Sequence, residues 1–212
     1  MNRPVRTVTL DRAFARVHRE LFLPEGQRAW AVADVPLEIG CGQTNSQPST
    51  VADMLELLAP ECGDSVLDLG SGSGWTAALL AVIVGRDGRV TGVERHPELL
   101  AREQESVAKS ITEAAPESGA DAESGESPAP IEFVEARAGV LGAPDRGPFD
   151  RILVSAGADH LPEELVDQLV IGGVMVIPVG GVMLRVVRTG EEPGDVEVTR
   201  HGRYRFVPLI VE

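Results

Sequence analysis

Asp68, Gly70, Gly72, Gly74 and Glu94 are the residues whose types and order can do chemistry together. The three glycines alternate directly after the apolar positions Val66, Leu67 and Leu69, so a buried strand of a parallel sheet ends in a backbone free to turn sharply against a ligand. Trp75 to Ile83 continues as a helix, and its first N–H groups point into the crevice that strand ends face in open α/β sheets. Strand, glycine loop and helix start make a cradle for a nucleotide-like ligand. Glu94 closes the next predicted strand, Arg89 to Val93, where an acidic side chain accepts hydrogen bonds from both hydroxyls of a ribose.

A second polar constellation precedes the cradle. Gln43, Thr44, Asn45, Ser46, Gln47, Ser49 and Thr50, interrupted only by Pro48, sit at the entrance of a predicted helix whose apolar face is Val51, Met54, Leu55, Leu57 and Leu58. Ser49 or Thr50 is the expected cap, and Asp53 lies near the positive end of the helix dipole. A third set follows the predicted strand Phe149 to Val154: the small residues Ser155, Ala156, Gly157 and Ala158 leave room for a ligand, and His160 stands just beyond them. His18, His96 and His201 show no ligand-like grouping, and Cys41 and Cys62 lack partners at metal-ligand spacing, so no metal site is expected.

The elements that must position these residues follow from periodicity. Leu10, Phe14, Val17 and Leu21 predict a helix over Thr9 to Phe22, and Pro24 stops it. Glu25 to Gln43 reads as an irregular arm. Pro97 to Lys109 is the helix after Glu94, and residues 112 to 130 are a low-complexity acidic insert expected to be disordered. The sheet resumes at Ile131 to Val134 and Phe149 to Val154. A helix over Leu161 to Leu169 leads to the strand Val174 to Val179, and Met183 to Arg188 with Tyr204 to Val211 is expected to form an edge hairpin. Alternation of strands and helices predicts an α/β, doubly wound, mostly parallel sheet with helices on both faces and a C-terminal edge hairpin.

With 212 residues, the chain is expected to be one domain, residues 1 to 50 supplying its N-terminal helix and arm. Nineteen basic against 33 acidic residues give a net charge of -14, which opposes binding to a phosphate backbone; nucleic acid is not an expected partner. No apolar run approaches a bilayer-spanning length and the N-terminus lacks a signal-peptide core, so no membrane association and a cytoplasmic location are expected. No motif fixes an oligomeric state, and a monomer is the expectation.

The run GSGSG differs from the dinucleotide fingerprint GxGxxG, whose third glycine packs helix on strand beside a pyrophosphate. Asp68 with Gly70, Ser71, Gly72 and Gly74 instead resembles the first motif of the class I S-adenosylmethionine-dependent methyltransferases, a Rossmann-like fold. Longer stretches resemble one family among them. GQTNSQPSTVADMLELL from Gly42, PFDRILVSAGADHLPEELVDQL from Pro148, RFVPLI from Arg205 and the N-terminal ARVHRELFLP are each similar to segments of the protein-L-isoaspartate O-methyltransferases. The resemblance spans nearly the whole chain apart from the acidic insert.

That resemblance implies S-adenosyl-L-methionine as cofactor and L-isoaspartyl residues of damaged proteins or peptides as substrate, a protein-repair activity. It implies cofactor contacts from Thr44, Asn45, Asp68, Gly70, Ser71, Gly72, Gly74, Glu94, Ala138 and Gly139, and substrate contacts from Ser46 and His160. Ser46 matches the serine of the family's TxS motif and is the expected catalytic residue, holding the substrate carboxylate in register. It is not a nucleophile, because direct methyl transfer has no place for a methylated serine.

Three positions depart from the family pattern. Arg137, Ala138 and Gly139 stand where the family has GDG, so the aspartate that accepts from the adenine amino group is absent. Ser49 replaces a frequent histidine, and the stretch from Gly180 to Met183 lacks a glutamine. These departures raise two alternatives: a related carboxyl methyltransferase with a different small-molecule or peptide acceptor, and a noncatalytic cofactor-binding homologue.

Overall fold

The computed structural model describes residues 5–113, 127–192 and 194–211. Its centre is a seven-stranded sheet. In chain order the strands are β3 (Ser65–Leu69), β4 (Arg89–Glu94), β5 (Ile131–Glu135), β6 (Phe149–Val154), β7 (Leu169–Val179), β8 (Val182–Arg188) and β9 (Val196–Arg203); a separate two-stranded hairpin, β1 (Leu37–Gly40) with β2 (Gln43–Asn45), precedes them. Spatial order is β5-β4-β3-β6-β7-β8-β9. The first five of these run parallel, and β8 and β9 join antiparallel.

The chain builds outward from β3 through β4 to β5, then returns to the other side of β3 with β6. This reversal places the ligand crevice at the C-terminal ends of β3 and β6. The loops leaving those two strands are in contact: the Ser155 N–H donates to Leu69 O at 2.9 Å, and a Cβ built on Gly70 would meet Ser155 at 3.8 Å.

Alternate strand residues supply two apolar layers, as the two-residue period of a strand requires. Val66, Val90, Leu153 and Val176 face α1 (Val5–Arg16), α2 (Pro48–Leu58) and α3 (Trp75–Val84), and α4 (Pro97–Glu113) adds Val107 to the same layer. Leu67, Leu69, Ile152 and Val154 face Ala143, Leu141 and the short α5 (Glu163–Val166). The predicted helix over Leu161 to Leu169 is thus only its middle turn, because Leu169 already pairs with Phe149 as the start of β7.

Three further expectations are corrected. The edge hairpin exists, but its second strand is Val196–Arg203, paired with β8, and not Tyr204 to Val211. The latter segment is a tail that crosses the sheet end, bonded to the loop after β6 through Gly157 N–H to Val207 O at 2.7 Å and Leu209 N–H to Gly157 O at 2.8 Å. The N-terminal helix stops at Arg16, and Arg19–Phe22 is a 3₁₀ turn. The arm is also partly regular, ending in the hairpin of β1 and β2. The acidic insert falls largely outside the described residues.

Candidate active site

Two grooves open at the sheet's C-terminal end. The first, a cavity of about 380 Å³, is walled by Gly70 and Gly72 of the glycine loop, Glu94 to His96, Glu135 to Ala138, Val140 to Gly142 and the tail from Val207 to Val211. The second, of about 650 Å³, is walled by Thr44, Ser46, Gln47, Ser49, Thr50 and Asp53 on one side and Arg203 to Pro208 on the other. Ser155, Val207 and Pro208 line both. The two grooves are therefore neighbours with a common wall.

Gly74 shows why the loop needs glycine. Its φ is +82°, and a Cβ there would come within 3.0 Å of Glu103 Cβ and 3.2 Å of Val107 Cγ2 on α4. Just before it, the Gly72 N–H donates to Glu94 Oε2 at 3.0 Å, while Glu94 Oε1 accepts from the N–H groups of Arg95 and His96 at 2.8 and 2.9 Å. Three backbone donors fix this carboxylate at the cavity wall and leave acceptor capacity for ribose hydroxyls.

Asp68 lies behind the loop, fully buried. Thr76 Oγ1 donates to its Oδ2 at 2.6 Å, its Oδ1 has no protein partner, and burial pushes its carboxyl up to about 7. Glu103 is likewise fully buried, with neither carboxyl oxygen in a well-formed hydrogen bond, and Ser71 is the one neighbour that favours its charged form. Burial, reinforced by Glu94 and Asp68, pushes Glu103 up to about 9. Glu103 carries no sequence motif, yet its position could have been found. Leu99, Glu103 and Val107 recur at four-residue spacing on the buried stripe of α4.

The acceptor side is held by Arg19. Its guanidinium donates to Asn45 Oδ1 (2.7 Å), Asn45 O (3.2 Å), Ser46 O (2.9 Å), Ala31 O (3.2 Å), Ala33 O (3.0 Å) and Val35 O (2.9 Å). It also lies 5.3 Å from the ring centre of Trp75, the first residue of α3. The arm in turn caps α2. Pro48 occupies the first helical turn, neither Ser49 nor Thr50 caps it, and the Ser49 N–H donates to Asp34 Oδ1 at 2.9 Å.

The predicted site residues thus divide. Gly70, Gly72, Glu94 and Ala138 line the first cavity; Thr44 lines the second groove with Ser46, and Asn45 is buried and lines neither. Ser71 and Asp68 are buried behind the loop. Gly139 follows Ala138 at a positive φ of 71°. His160 is exposed beyond the small-residue segment and is brought to neither groove. Ser155, from the small-residue segment expected to leave room for a ligand, lines the first cavity; Arg95, His96, Val140, Leu141 and the tail are among the wall residues that carried no signal as contacts in the sequence. Among the described residues, no cluster of His, Cys, Asp and Glu could hold a metal, and no helix is long and apolar enough to cross a membrane.

The cavity's polar end at Glu94 and Gly72 suits a ribose and an amino-acid tail, and its apolar end at Val140, Leu141 and Leu209 suits a flat base. The cavity thus lies at the point where the strand order reverses, where open α/β sheets bind nucleoside-bearing ligands. A family model for protein-L-isoaspartate(D-aspartate) O-methyltransferase matches residues 2–212. The protein-L-isoaspartate O-methyltransferase of Methanopyrus kandleri is 42% identical over 98% of this chain and 86% of its own length. That of Thermococcus onnurineus is 42% identical over 98% and 88%. Among solved structures, a beta-aspartate methyltransferase (PCMT) of Plasmodium falciparum, in complex with S-adenosyl-L-homocysteine, shares the fold with a TM-score of 0.77 at 22% identity, over 96% of this chain and 91% of that one. The chain belongs to the protein-L-isoaspartate O-methyltransferase family.

Two predictions follow from the buried charges. Glu103 binds its proton more tightly folded than unfolded, so the stability it confers is full below its ordinary value of 4.5 and is lost as pH rises toward about 9. Glu103→Gln keeps the shape without the ionisation. Its melting temperature is expected to overtake the parent's by a margin that widens by more than about 3 °C from about pH 6 to about pH 9; parallel curves would refute a raised Glu103. Arg19→Ala leaves several buried carbonyls unpaired and is expected to lower unfolding free energy by about 3 kcal/mol in urea titrations. Arg19→Lys should recover less than half, since an ammonium cannot reproduce the fork.

Proposed function

We propose that this chain transfers the methyl group of S-adenosyl-L-methionine to the free carboxylate of L-isoaspartyl residues in damaged proteins and peptides. The observation that carries the reading is that Ser155, Val207 and Pro208 line both grooves, so a carboxylate in one and a methyl group in the other would lie against the same residues. When bound, the cofactor supplies an electrophilic methyl on a sulfonium that leaves as a neutral thioether. A carboxylate is already ionised at neutral pH, so the protein needs no strong base. Its work is alignment and exclusion of water.

Each part of the site has a role in that work. Glu94 with Gly70 and Gly72 holds the cofactor's ribose and amino-acid portions. Ser46 and Thr44, side by side on the acceptor wall, orient the carboxylate by hydrogen bonding, with Ser46 the residue nearest to a catalytic role. The tail from Val207 to Leu209 covers the junction and keeps water from it. The methyl ester then closes to a succinimide without help from the protein, and hydrolysis returns part of it to normal aspartate. We read the enzyme as cytoplasmic, a setting in which its two exposed thiols, Cys41 and Cys62, stay reduced.

The decisive experiment incubates the protein and cofactor with an isoaspartyl peptide and its aspartyl twin, with mass spectrometry for the methyl ester. Ester on the first alone is expected; cofactor binding without ester on either would overturn repair in favour of another acceptor. Ser46→Ala is expected to lower kcat/KM by about tenfold to a hundredfold, the cost of a hydrogen bond to a charged group. Unchanged turnover would remove Ser46 from the site. Ala138 lies on the cavity wall where the family's adenine-side aspartate is missing, so Ala138→Asp is expected to tighten S-adenosylhomocysteine binding about twofold to tenfold by calorimetry.

A further inference from the structure

The acceptor wall and the glycine loop are tied together at two points that methyl transfer itself does not demand. Asn45 is 5% exposed and both ends of its amide are engaged: Oδ1 accepts from Arg19 Nε at 2.7 Å, and Nδ2 donates to Ser73 Oγ at 2.9 Å. Ser73 stands between Gly72 and Gly74, both at positive φ. It lies outside the lining of the cofactor cavity, whereas Gly72 is part of it. The second tie is steric. A Cβ on Gly72 would come within 3.3 Å of Ile39 Cδ1, so the β1–β2 hairpin already rests against the loop.

Displacement of Asn45 cannot stay local. Arg19 also holds Asn45 O and Ser46 O, so the backbone of the acceptor strand and the Asn45 side chain share one anchor. Any ligand that fixes Gly70 to Gly74 fixes Ser73 with them, and through it the amide of Asn45. Ser46, the next residue, lies on the acceptor groove.

We infer that Asn45 is a positioning residue that reports the filling of the cofactor cavity to the acceptor wall through Ser73, so that a bound cofactor steadies Thr44 to Gln47 before any acceptor arrives. The two binding events are then coupled, and the coupling is reciprocal by thermodynamic necessity. The inference rests on the proposed function for the identity of the acceptor, and its test uses no acceptor.

Hydrogen exchange of the full chain, with and without saturating S-adenosylhomocysteine, reads the steadying directly. In the parent, the ligand is expected to slow exchange of the amides at Thr44, Asn45, Ser46 and Gln47 by at least about threefold. Ser73→Ala, which removes the acceptor hydroxyl, is expected to abolish that slowing while calorimetric affinity stays within about threefold of the parent. Ser73→Thr, which restores a hydroxyl, is expected to bring it back. The inference is overturned if the ligand leaves these amides unchanged in the parent, or if Ser73→Ala shows the same slowing. It is overturned equally if Ser73→Ala no longer binds the ligand, since Ser73 would then hold the cofactor and not report on it. Failure of the repair reading would show only in the peptide assay.

Discussion

The guanidinium of Arg19 is the constraint on which the acceptor side depends. Six hydrogen bonds run from this one buried group to carbonyls at positions 31, 33, 35, 45 and 46 and to the side chain of Asn45. None of those carbonyls belongs to a helix or a long strand that would satisfy it otherwise. An arm with few regular hydrogen bonds of its own is thereby made rigid enough to cap α2 through Asp34 and to hold Ser46 in place. A planar fork of donors does what a lysine cannot, because a single ammonium cannot serve acceptors spread around a plane. Stacking near Trp75 ties the same group to the helix that starts at the glycine loop.

Around that loop the electrostatics take a different form. Asp68, Glu94 and Glu103 approach it from β3, β4 and α4, and each meets burial differently. Glu94 accepts three backbone N–H bonds at the cavity wall, Asp68 has one hydroxyl donor, and Glu103 has no well-formed bond at all. The two raised values rank in that order of support, Glu103 above Asp68. Of the three, only Glu94 lines the cavity and offers a positively charged cofactor a carboxylate there.

What could be read from the chain alone was whatever residue type dictates locally. Positive φ at Gly70, Gly72 and Gly74, the acidic end of β4 and the apolar strands were legible because backbone geometry and burial select those residues directly. Arg19 was not, since its partners are main-chain carbonyls that any residue presents. Tyr204 to Val211 read as a strand because apolar residues alternate there, but its first half lines one groove and its second half the other, with no sheet face between them. The true partner of β8, Val196–Arg203, is mostly exposed and polar, so it carries little of the pattern that marks a strand. Asn45 was expected to touch the cofactor. In the fold its side chain is buried, engaged by Arg19 and Ser73.

The strand β2 has a further consequence. Gln43 lines the first cavity, Thr44 lines the second groove, and Asn45 turns inward, so successive positions on one short strand face different surroundings. Parity along this strand is enforced by the preceding turn, where Gly40, Cys41 and Gly42 all have positive φ, at 99°, 53° and 69°. A one-residue insertion or deletion in that turn would exchange the two faces wholesale, whereas point substitutions can change one face and spare the other.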